Sequence, residues 1–302
     1  MKKTISLILI VCFAILSLSF SVSAYDMSKK YSEISLKSSL SKAQFAEHSK
    51  RKYEEKASHE ELSDQEISNL LLLLRKTDDS KYEEELNNAG IYIYSSATSY
   101  FNIQGNERTS EPSDVIMNTC EILHNTTKNQ WEIRFVGTWE SISPISDEVH
   151  VWFNPTVGAT MHVGGYDAVG IVLYDTSGNS PTKLDSSATL RSSDGVTSST
   201  NTNPDTADDS YGVGFSIQDY IICRSKSSPF TYTWDYVGAT FEAKMVFDAS
   251  FANYHGKAKG HYTHTWKSAS VTSVGAGWPS FEMSWVPENY AFGCYSNTAA
   301  EF

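Results

Sequence analysis

The chain has 302 residues and carries a formal net charge of −12 at pH 7. Nucleic acid and anionic lipid surfaces are bound through basic patches, and an acidic balance of this size argues against both as partners. A chain of this length is able to bury a sizeable core without covalent cross-links.

The first 24 residues have the pattern of a secretory signal peptide. Lys2 and Lys3 form a short basic start, residues 5–20 are almost wholly apolar, and Val22, Ser23 and Ala24 supply small residues at the cleavage positions. The apolar run is short for a membrane-spanning helix, which needs about 20 residues. We therefore expect a secreted, extracellular chain that begins near Tyr25.

Residues 25–89 form a charged segment with helical signals. They contain neither glycine nor proline, whereas all 17 glycines and all 8 prolines lie from Gly90 onward. Ser41-Lys42-Ala43-Gln44 and Ser63-Asp64-Gln65-Glu66 match the capping box that opens a helix. Ile67 and the leucines between residues 70 and 74 then fall on one helical face and need a packing partner. We expect a helical or partly disordered leader that is a tether, a pro-segment or a docked helix.

Residues 90–302 have the pattern of an antiparallel β-sandwich. Turn-forming glycine and proline appear from Gly90, and residues 230–236 alternate aromatic and polar side chains with the period of two that a strand requires. Short links without a helical pattern favour antiparallel pairing. Residues 175–210 are rich in serine, threonine, asparagine and aspartate and predict a long polar loop or a weak, exposed hairpin.

The mature chain would keep three cysteines, Cys120, Cys223 and Cys294. Extracellular cysteines commonly pair, and an odd number predicts one disulfide and one buried thiol. We favour a Cys223–Cys294 disulfide because both residues lie in the same β-rich half. The alternative is three unpaired, buried thiols.

Two groups of residues suggest metal binding. The acidic loop at residues 203–209 offers Asn203, Asp205, Asp208 and Asp209 as oxygen ligands for calcium, although its spacing is not that of an EF-hand. His255, His261 and His264 lie close in sequence, but His261 and His264 would face opposite sides of a strand and no spacing supplies further ligands.

Aromatic residues are abundant in the β region, which holds all seven tryptophans. Most of them belong to the core, but any that share an exposed face would make a platform for sugar rings or for a protein partner. The candidates for such a platform are Trp139, Trp152, Trp234 and Trp266.

Acidic residues on or near predicted strands raise the alternative of a glycan hydrolase with a carboxylate pair. They are Glu132, Glu140, Asp147, Glu148, Asp235, Glu242 and Asp248. The sequence contains no phosphate-binding loop, dinucleotide fingerprint, Gly-x-Ser-x-Gly or His-Glu-x-x-His motif. The absence of these motifs favours a protein without enzymatic activity and without a cofactor other than calcium.

The leading functional hypothesis is a secreted, non-enzymatic protein that binds a surface glycan or a protein partner. Serine- and threonine-rich alternating runs with scattered aromatics resemble β-rich secreted toxins and carbohydrate-binding modules in composition. The second hypothesis is a membrane-active toxin, suggested by the polar, alternating residues 186–210 as an inserting hairpin and by the leader as an inhibitory pro-segment. Such a hairpin needs about 9–11 residues per strand to span a membrane. Membrane contact is expected only under this second hypothesis.

Overall fold

The computed structural model describes residues 40–56, 61–95, 114–140, 155–228, 231–267, 270–277, 280–286, 291–296 and 298–302. The predicted signal peptide, residues 1–24, lies outside the described residues, as do residues 25–39 and 57–60 of the leader. The chain forms two compact units, residues 1–45 and 46–302. Of the first unit the structure describes the start of helix α1 (Lys42–Glu54), where Ser41 N donates to Gln44 Oε1 at 3.0 Å and confirms the first capping box.

Two further helices, α2 (Asp64–Thr77) and α3 (Ser80–Asn88), lie in the unit that also contains the sheets. The second capping box is confirmed: Glu66 N donates to Ser63 Oγ, and Ser63 N donates to Glu66 Oε2 at 2.8 Å. Asp78 ends α2 in the left-handed conformation, and its N–H donates to Leu74 O. Among the described helices, none combines the length and the apolar character that crossing a bilayer requires.

The remainder of the second unit is mainly β, as predicted. A short 3₁₀ helix lies at Ala249–Asn253. The strands are β1 (Ile91–Ser95), β2 (Val115–Met117), β3 (Glu121–Asn125), β4 (Gln130–Trp139), β5 (Thr160–His162), β6 (Asp167–Ser177), β7 (Lys183–Ser192), β8 (Ser198–Asn201), β9 (Thr206–Asp208), β10 (Gly212–Ile217), β11 (Tyr220–Ser228), β12 (Thr231–Phe247), β13 (His255–Thr265), β14 (Ser270–Gly277), β15 (Ser280–Val286), β16 (Ala291–Tyr295) and β17 (Ala300–Glu301).

The strands pair into two large antiparallel sheets and a two-stranded one. The larger sheet has the order β1-β3-β4-β12-β11-β5, with β2 beside β4, β7 beside β12 and β8 beside β7. The smaller has the order β16-β13-β6-β10-β9, with β17 beside β13, while β14 and β15 pair with each other. The predicted antiparallel sandwich is therefore confirmed.

Side chains that alternate along the strands point inward at every second residue and fill the space between the two large sheets. On β12 the inward side chains are Phe241, Ala243, Met245 and Phe247, all fully buried. The ring of Phe241 stacks on that of Tyr262 from β13, with 3.7 Å between centroids. Gly260 on β13 leaves room for the ring of Phe135 on β4, because a Cβ at that position would lie 1.9 Å from Cδ2 of Phe135. Residues 256–260 are part of the continuous strand β13 although they contain two glycines.

Helices α2 and α3 pack on the larger sheet. Leu70, Leu71 and Leu86 share one apolar cluster with Ile93 of β1 and Leu123 of β3. The prediction that the leucine-rich face of α2 needs a docking partner is confirmed. A boundary at residue 90 remains a prediction, since these helices belong to the same compact unit as the sheets.

Residues 175–210 differ from the predicted long loop. Strand β7 occupies residues 183–192 and pairs with β12 from Phe247 to Val237. Its Ala188 and Leu190 are fully buried, and β8 pairs back onto it from Asn201 to Ser198. The hairpin alternative is correct, but β7 is a built-in strand of the larger sheet and not an exposed segment.

The predicted Cys223–Cys294 disulfide is wrong, because Cys120, Cys223 and Cys294 are all free and buried. Cys223 lies on β11 of the larger sheet, opposite Trp234, whereas Cys294 lies on β16 of the smaller sheet, opposite Tyr262. Membership of one β-rich half of the sequence did not place the two cysteines in one sheet.

Candidate functional site

The four tryptophans predicted to form a platform have different environments. Trp139 on β4 is 6% exposed and Trp266, after β13, is 1% exposed, so both are core residues and neither contributes to an exposed platform. Trp152 lies outside the described residues. Trp234 on β12 is half-buried and retains one partly accessible surface.

Trp234 belongs to the β11–β12 hairpin, residues 220–237, where it has an aromatic neighbour. Tyr232 and Trp234 are two residues apart on one strand and share a face. Their ring centroids are 6.3 Å apart, and Nζ of Lys226 lies 5.6 Å from the centroid of Tyr232. We call these three residues the hairpin patch.

The hairpin patch lies beyond the point where other strands flank the hairpin. Strand β5 pairs with β11 at residues 220–222, and β7 first pairs with β12 at Val237. At the base of this extension, Arg224 Nη2 donates to Asp235 Oδ2 at 2.7 Å and to Thr197 Oγ1 at 2.8 Å. These bonds connect the base of the hairpin to the turn after β7. They also engage Asp235, one of the predicted catalytic carboxylates, in an ion pair with Arg224.

Two other predicted carboxylates, Glu132 and Glu242, belong to a buried ion network centred on Arg134. Arg134 Nε donates to Glu132 Oε2 at 2.8 Å, and Nη1 donates to Glu242 Oε1 at 2.9 Å. Arg191 Nη1 donates to the second oxygen of Glu242 at 2.6 Å. Burial by itself would raise the pKa of Glu242, but Arg134 and Arg191 outweigh burial and lower it. This carboxylate is therefore held ionised as a structural group.

Helix α2 completes the Arg134 network. Asp64 accepts from Arg134 Nη2 and from Lys244 Nζ, each at 2.6 Å, and Ser68 Oγ donates to Glu242 at 2.6 Å. Burial acts to raise the pKa of Asp64, yet Arg134 and Lys244 hold it at about 2. The network thus joins the leader helix to the outer face of the larger sheet.

The remaining predicted acids give no opposed pair among the described residues. Asp248 caps the 3₁₀ helix by accepting from Ser250 N at 2.9 Å, and Glu140 is exposed just after β4. Asp147 and Glu148 lie outside the described residues.

The acidic loop holds the four residues predicted to bind calcium. Asp208 Oδ1 accepts from Ser210 N at 2.8 Å and Asp209 pairs with Lys183 at 3.2 Å, while Asp205 accepts from Ser216 N. Asn203 N donates to Asn201 Oδ1 at 2.9 Å. The calcium site remains a prediction, and the carboxylates of the loop have separate local partners, mostly turn and strand N–H groups.

A convergent cluster that spacing did not reveal is formed by Asp167, Asp219 and His264, which we call the Asp-His centre. Their ligand atoms all lie within 4.8 Å of one another, and all three side chains are fully buried. His264 Nδ1 lies 3.1 Å from Asp167 Oδ2 and 3.8 Å from Asp219 Oδ2. His261 is absent from the centre because it lies on the opposite face of β13, as alternation predicts.

Hydrogen bonds hold both carboxylates of the Asp-His centre. Tyr262 OH donates to Asp167 Oδ2 at 2.9 Å, and Tyr236 OH donates to Asp219 Oδ2 at 2.6 Å. Burial, with help from the neighbouring carboxylates, raises the pKa of both tyrosine hydroxyls well above the usual value, so both remain donors. Thr265 N donates to the other oxygen of Asp167 at 2.8 Å.

Aromatic rings enclose the imidazole of the Asp-His centre. The ring of Trp139 meets His264 edge-on at 4.9 Å, and Phe292 lies 5.7 Å away. Asp167 and His264 are 97 residues apart in sequence, and Asp219 lies in the link between β10 and β11. Because the centre is assembled from three separate parts of the chain, no local sequence pattern reveals it. The one available signal is a histidine, His264, within a buried strand.

No protein-family model matches the chain, and no curated protein matches it. Among solved structures, Clostridium perfringens delta-toxin shows a TM-score of 0.21 and 10% sequence identity, over 68% of this chain and 88% of that chain. A likeness at this level carries no argument about what the chain does.

Proposed function

We propose that the protein is an exported, non-enzymatic binding protein that recognises a surface glycan through the hairpin patch. The observation that carries the proposal is the half-exposed Tyr232–Trp234 pair, with Lys226 beside the tyrosine ring. Of the described tryptophans that the sequence nominated, Trp234 is the one whose side chain is not in the core.

The geometry of the patch suits a saccharide. The apolar C–H face of a sugar ring packs on an aromatic face, and indole and phenol rings bury large areas at low entropic cost. Lys226 and the hydroxyl of Tyr232 supply hydrogen-bond donors beside those faces. The Arg224–Asp235 pair fixes the base of the hairpin, which reduces the ordering cost of binding.

The ion pairs made by the acidic residues on the strands favour a binding role over glycan hydrolysis. Glu132 is paired with Arg134, Glu242 is paired with Arg134 and Arg191, and Asp235 is paired with Arg224. A glycosidase needs two carboxyl groups that face each other across an accessible cleft. Acids that already serve buried ion pairs are poor candidates for that task.

The membrane-active alternative has less support from the hairpin on which it was based. Residues 186–192 lie in β7, and Arg191 is bonded to Glu242 in the interior. Release of this strand would break its pairing with β12 and leave Glu242 and Arg191 short of partners. We therefore keep membrane activity as the second hypothesis and secretion as an expectation from the signal-peptide pattern of residues 1–24.

A glycan array probed with the mature chain, followed by calorimetric titration of the best-bound glycan, tests the proposal. Trp234→Ala and Tyr232→Ala should each weaken binding about tenfold or more, the loss typical of a central aromatic contact. The matched control is Tyr166→Ala, which removes an exposed tyrosine outside the patch, 51% accessible, and should leave affinity unchanged. Binding that both patch variants retain, or an array without any bound glycan, would count against the proposal.

A further inference from the structure

We propose that the Asp-His centre is a structural site for one divalent transition-metal ion, with zinc the best fit. The ligands would be Nδ1 of His264 and Oδ2 of both Asp167 and Asp219. This site is separate from the hairpin patch, so the proposal does not depend on glycan binding.

The separations between ligand atoms match a tetrahedral ion. Zinc binds nitrogen and carboxylate oxygen at about 2.0–2.2 Å, which places neighbouring ligand atoms about 3.4 Å apart. The two measured separations from His264 Nδ1, 3.1 and 3.8 Å, lie on either side of that value. Ligand atoms of the three residues all lie within 4.8 Å of one another, so the three side chains converge on one point.

The groups around the centre orient its ligands as an outer shell does in metal sites. Thr265 binds Asp167 Oδ1 through its N–H at 2.8 Å and its hydroxyl at 3.3 Å, which leaves Oδ2 to face His264. Gln218 Nε2 lies 3.4 Å from Oδ1 of Asp219, and Tyr236 fixes the other oxygen. Such partners set ligand orientation and are costly to remove.

The donor set suits a divalent cation. Asp167 and Asp219 offer carboxylate oxygens and His264 offers a ring nitrogen. A divalent ion would match the charge of two ionised carboxylates beside a neutral imidazole.

The ligand set distinguishes between ions. Calcium takes 6–8 oxygen ligands, more than this centre offers, while nitrogen with two carboxylate oxygens suits zinc. One water would complete four-coordination. Because the three side chains are fully buried, the ion would stabilise the fold and would not meet a substrate.

The position of the centre explains what the ion would stabilise. Asp167 and His264 lie on β6 and β13 of the smaller sheet, and Tyr236 lies on β12 of the larger sheet. Asp219 is in the link through which the chain passes from β10 of one sheet to β11 of the other. An ion at this point would tie the two sheets together where no disulfide does so.

The test uses the tag-free mature chain, denatured with a chelator and refolded with or without zinc. We expect about one zinc per chain by elemental analysis and a higher melting temperature for the zinc-refolded sample. Cobalt-refolded protein should show the visible absorption of a tetrahedral ion. His264→Gln and Asp167→Asn should lose the metal, whereas His261→Gln, a histidine on the opposite face of the same strand, should keep it.

A wild-type chain that refolds without metal to the same melting temperature, and that holds no zinc after refolding with it, would overturn the proposal. The same result would leave His264 and the two aspartates as a metal-free, hydrogen-bonded cluster. If His264→Gln fails to fold, the zinc content and melting temperature of the wild-type chain still decide the question.

Discussion

Asp64 on α2 and Arg134 on β4 are joined by a 2.6 Å hydrogen bond between Oδ1 and Nη2, across 70 residues of sequence. Arg134 is fully buried, and Glu132 and Glu242 bond its other nitrogens. The leader helix α2 therefore supplies one carboxylate to a charge network whose other members lie on the sheet. Substitutions of single members can measure what the network contributes to stability.

Arg134→Met should lower the free energy of unfolding by about 3–5 kcal/mol, because Glu132 and Glu242 would remain buried without their shared cation. Asp64→Asn should cost much less, since this side chain is 59% exposed and water can replace it. Urea denaturation measures both. Arg51→Met, at an exposed position of α1, is the control. Equal losses for the Arg134 and Arg51 variants would show that the network contributes no stability.

Acid should destabilise the protein through His124 before most carboxylates titrate. Burial lowers the pKa of His124 from 6.5 to about 4, so the folded state binds fewer protons than the unfolded state below pH 6.5. The contribution of His124 is fully present above pH 6.5 and is lost as the pH falls toward 4. The loss should be up to about 3 kcal/mol by the usual conversion of a pKa difference to free energy.

His124→Phe keeps a ring beside Trp131, whose centroid is 4.7 Å from that of His124, and removes the titrating group. Between pH 6.5 and 4, the variant should lose less stability than the wild-type chain in urea titrations. His162→Phe, at an exposed position of β5, should keep the wild-type slope. If the His124 variant also loses stability between pH 6.5 and 4 as steeply as the wild-type chain, the pKa shift of His124 does not cause the acid destabilisation.

Gly260→Ala should be destabilising by about 1–3 kcal/mol, the usual cost of an added methyl group in a packed core. Its Cβ would meet the ring of Phe135 on the opposite sheet at 1.9 Å. Phe135→Leu, which reduces the opposing ring, should recover part of the loss in the double variant. Additive effects in thermal unfolding of the four chains of this cycle would contradict the proposed contact.

Thiol titration should find three free cysteines in the denatured mature chain without reductant. The native chain should react slowly, because burial raises the pKa of the Cys120 and Cys294 thiols and limits access. Reductant should leave the melting temperature unchanged. If only one thiol reacts under denaturing, non-reducing conditions, the other two cysteines form the disulfide that the sequence predicted.

Features that depend on neighbouring residues were predicted well. The capping boxes at Ser41 and Ser63 are confirmed because they join residues three positions apart. The opposed faces of His261 and His264 follow from strand alternation alone. The burial of Trp139 and Trp266 was not predictable in the same way, because alternation assigns a side chain to a face without saying whether that face is covered.

Features that join distant segments were the ones the sequence missed. Lys244 and Asp64 are 180 residues apart, and Asp167 and His264 are 97 apart. Their meeting depends on the order of strands in the sheets, which hydrophobic periodicity does not encode. In the acidic loop, closeness in sequence left the carboxylates of Asp205, Asp208 and Asp209 with separate partners.

By itself, the sequence determined an antiparallel β-sandwich behind helices with defined starts, since side-chain period and capping chemistry operate within a few residues. The tertiary structure alone decided that the cysteines stay apart, that α2 covers a charged strand face and that two aspartates enclose His264. Those outcomes depend on which strands become neighbours. The order of the strands is determined by the packing energy of the whole domain and not by any one segment.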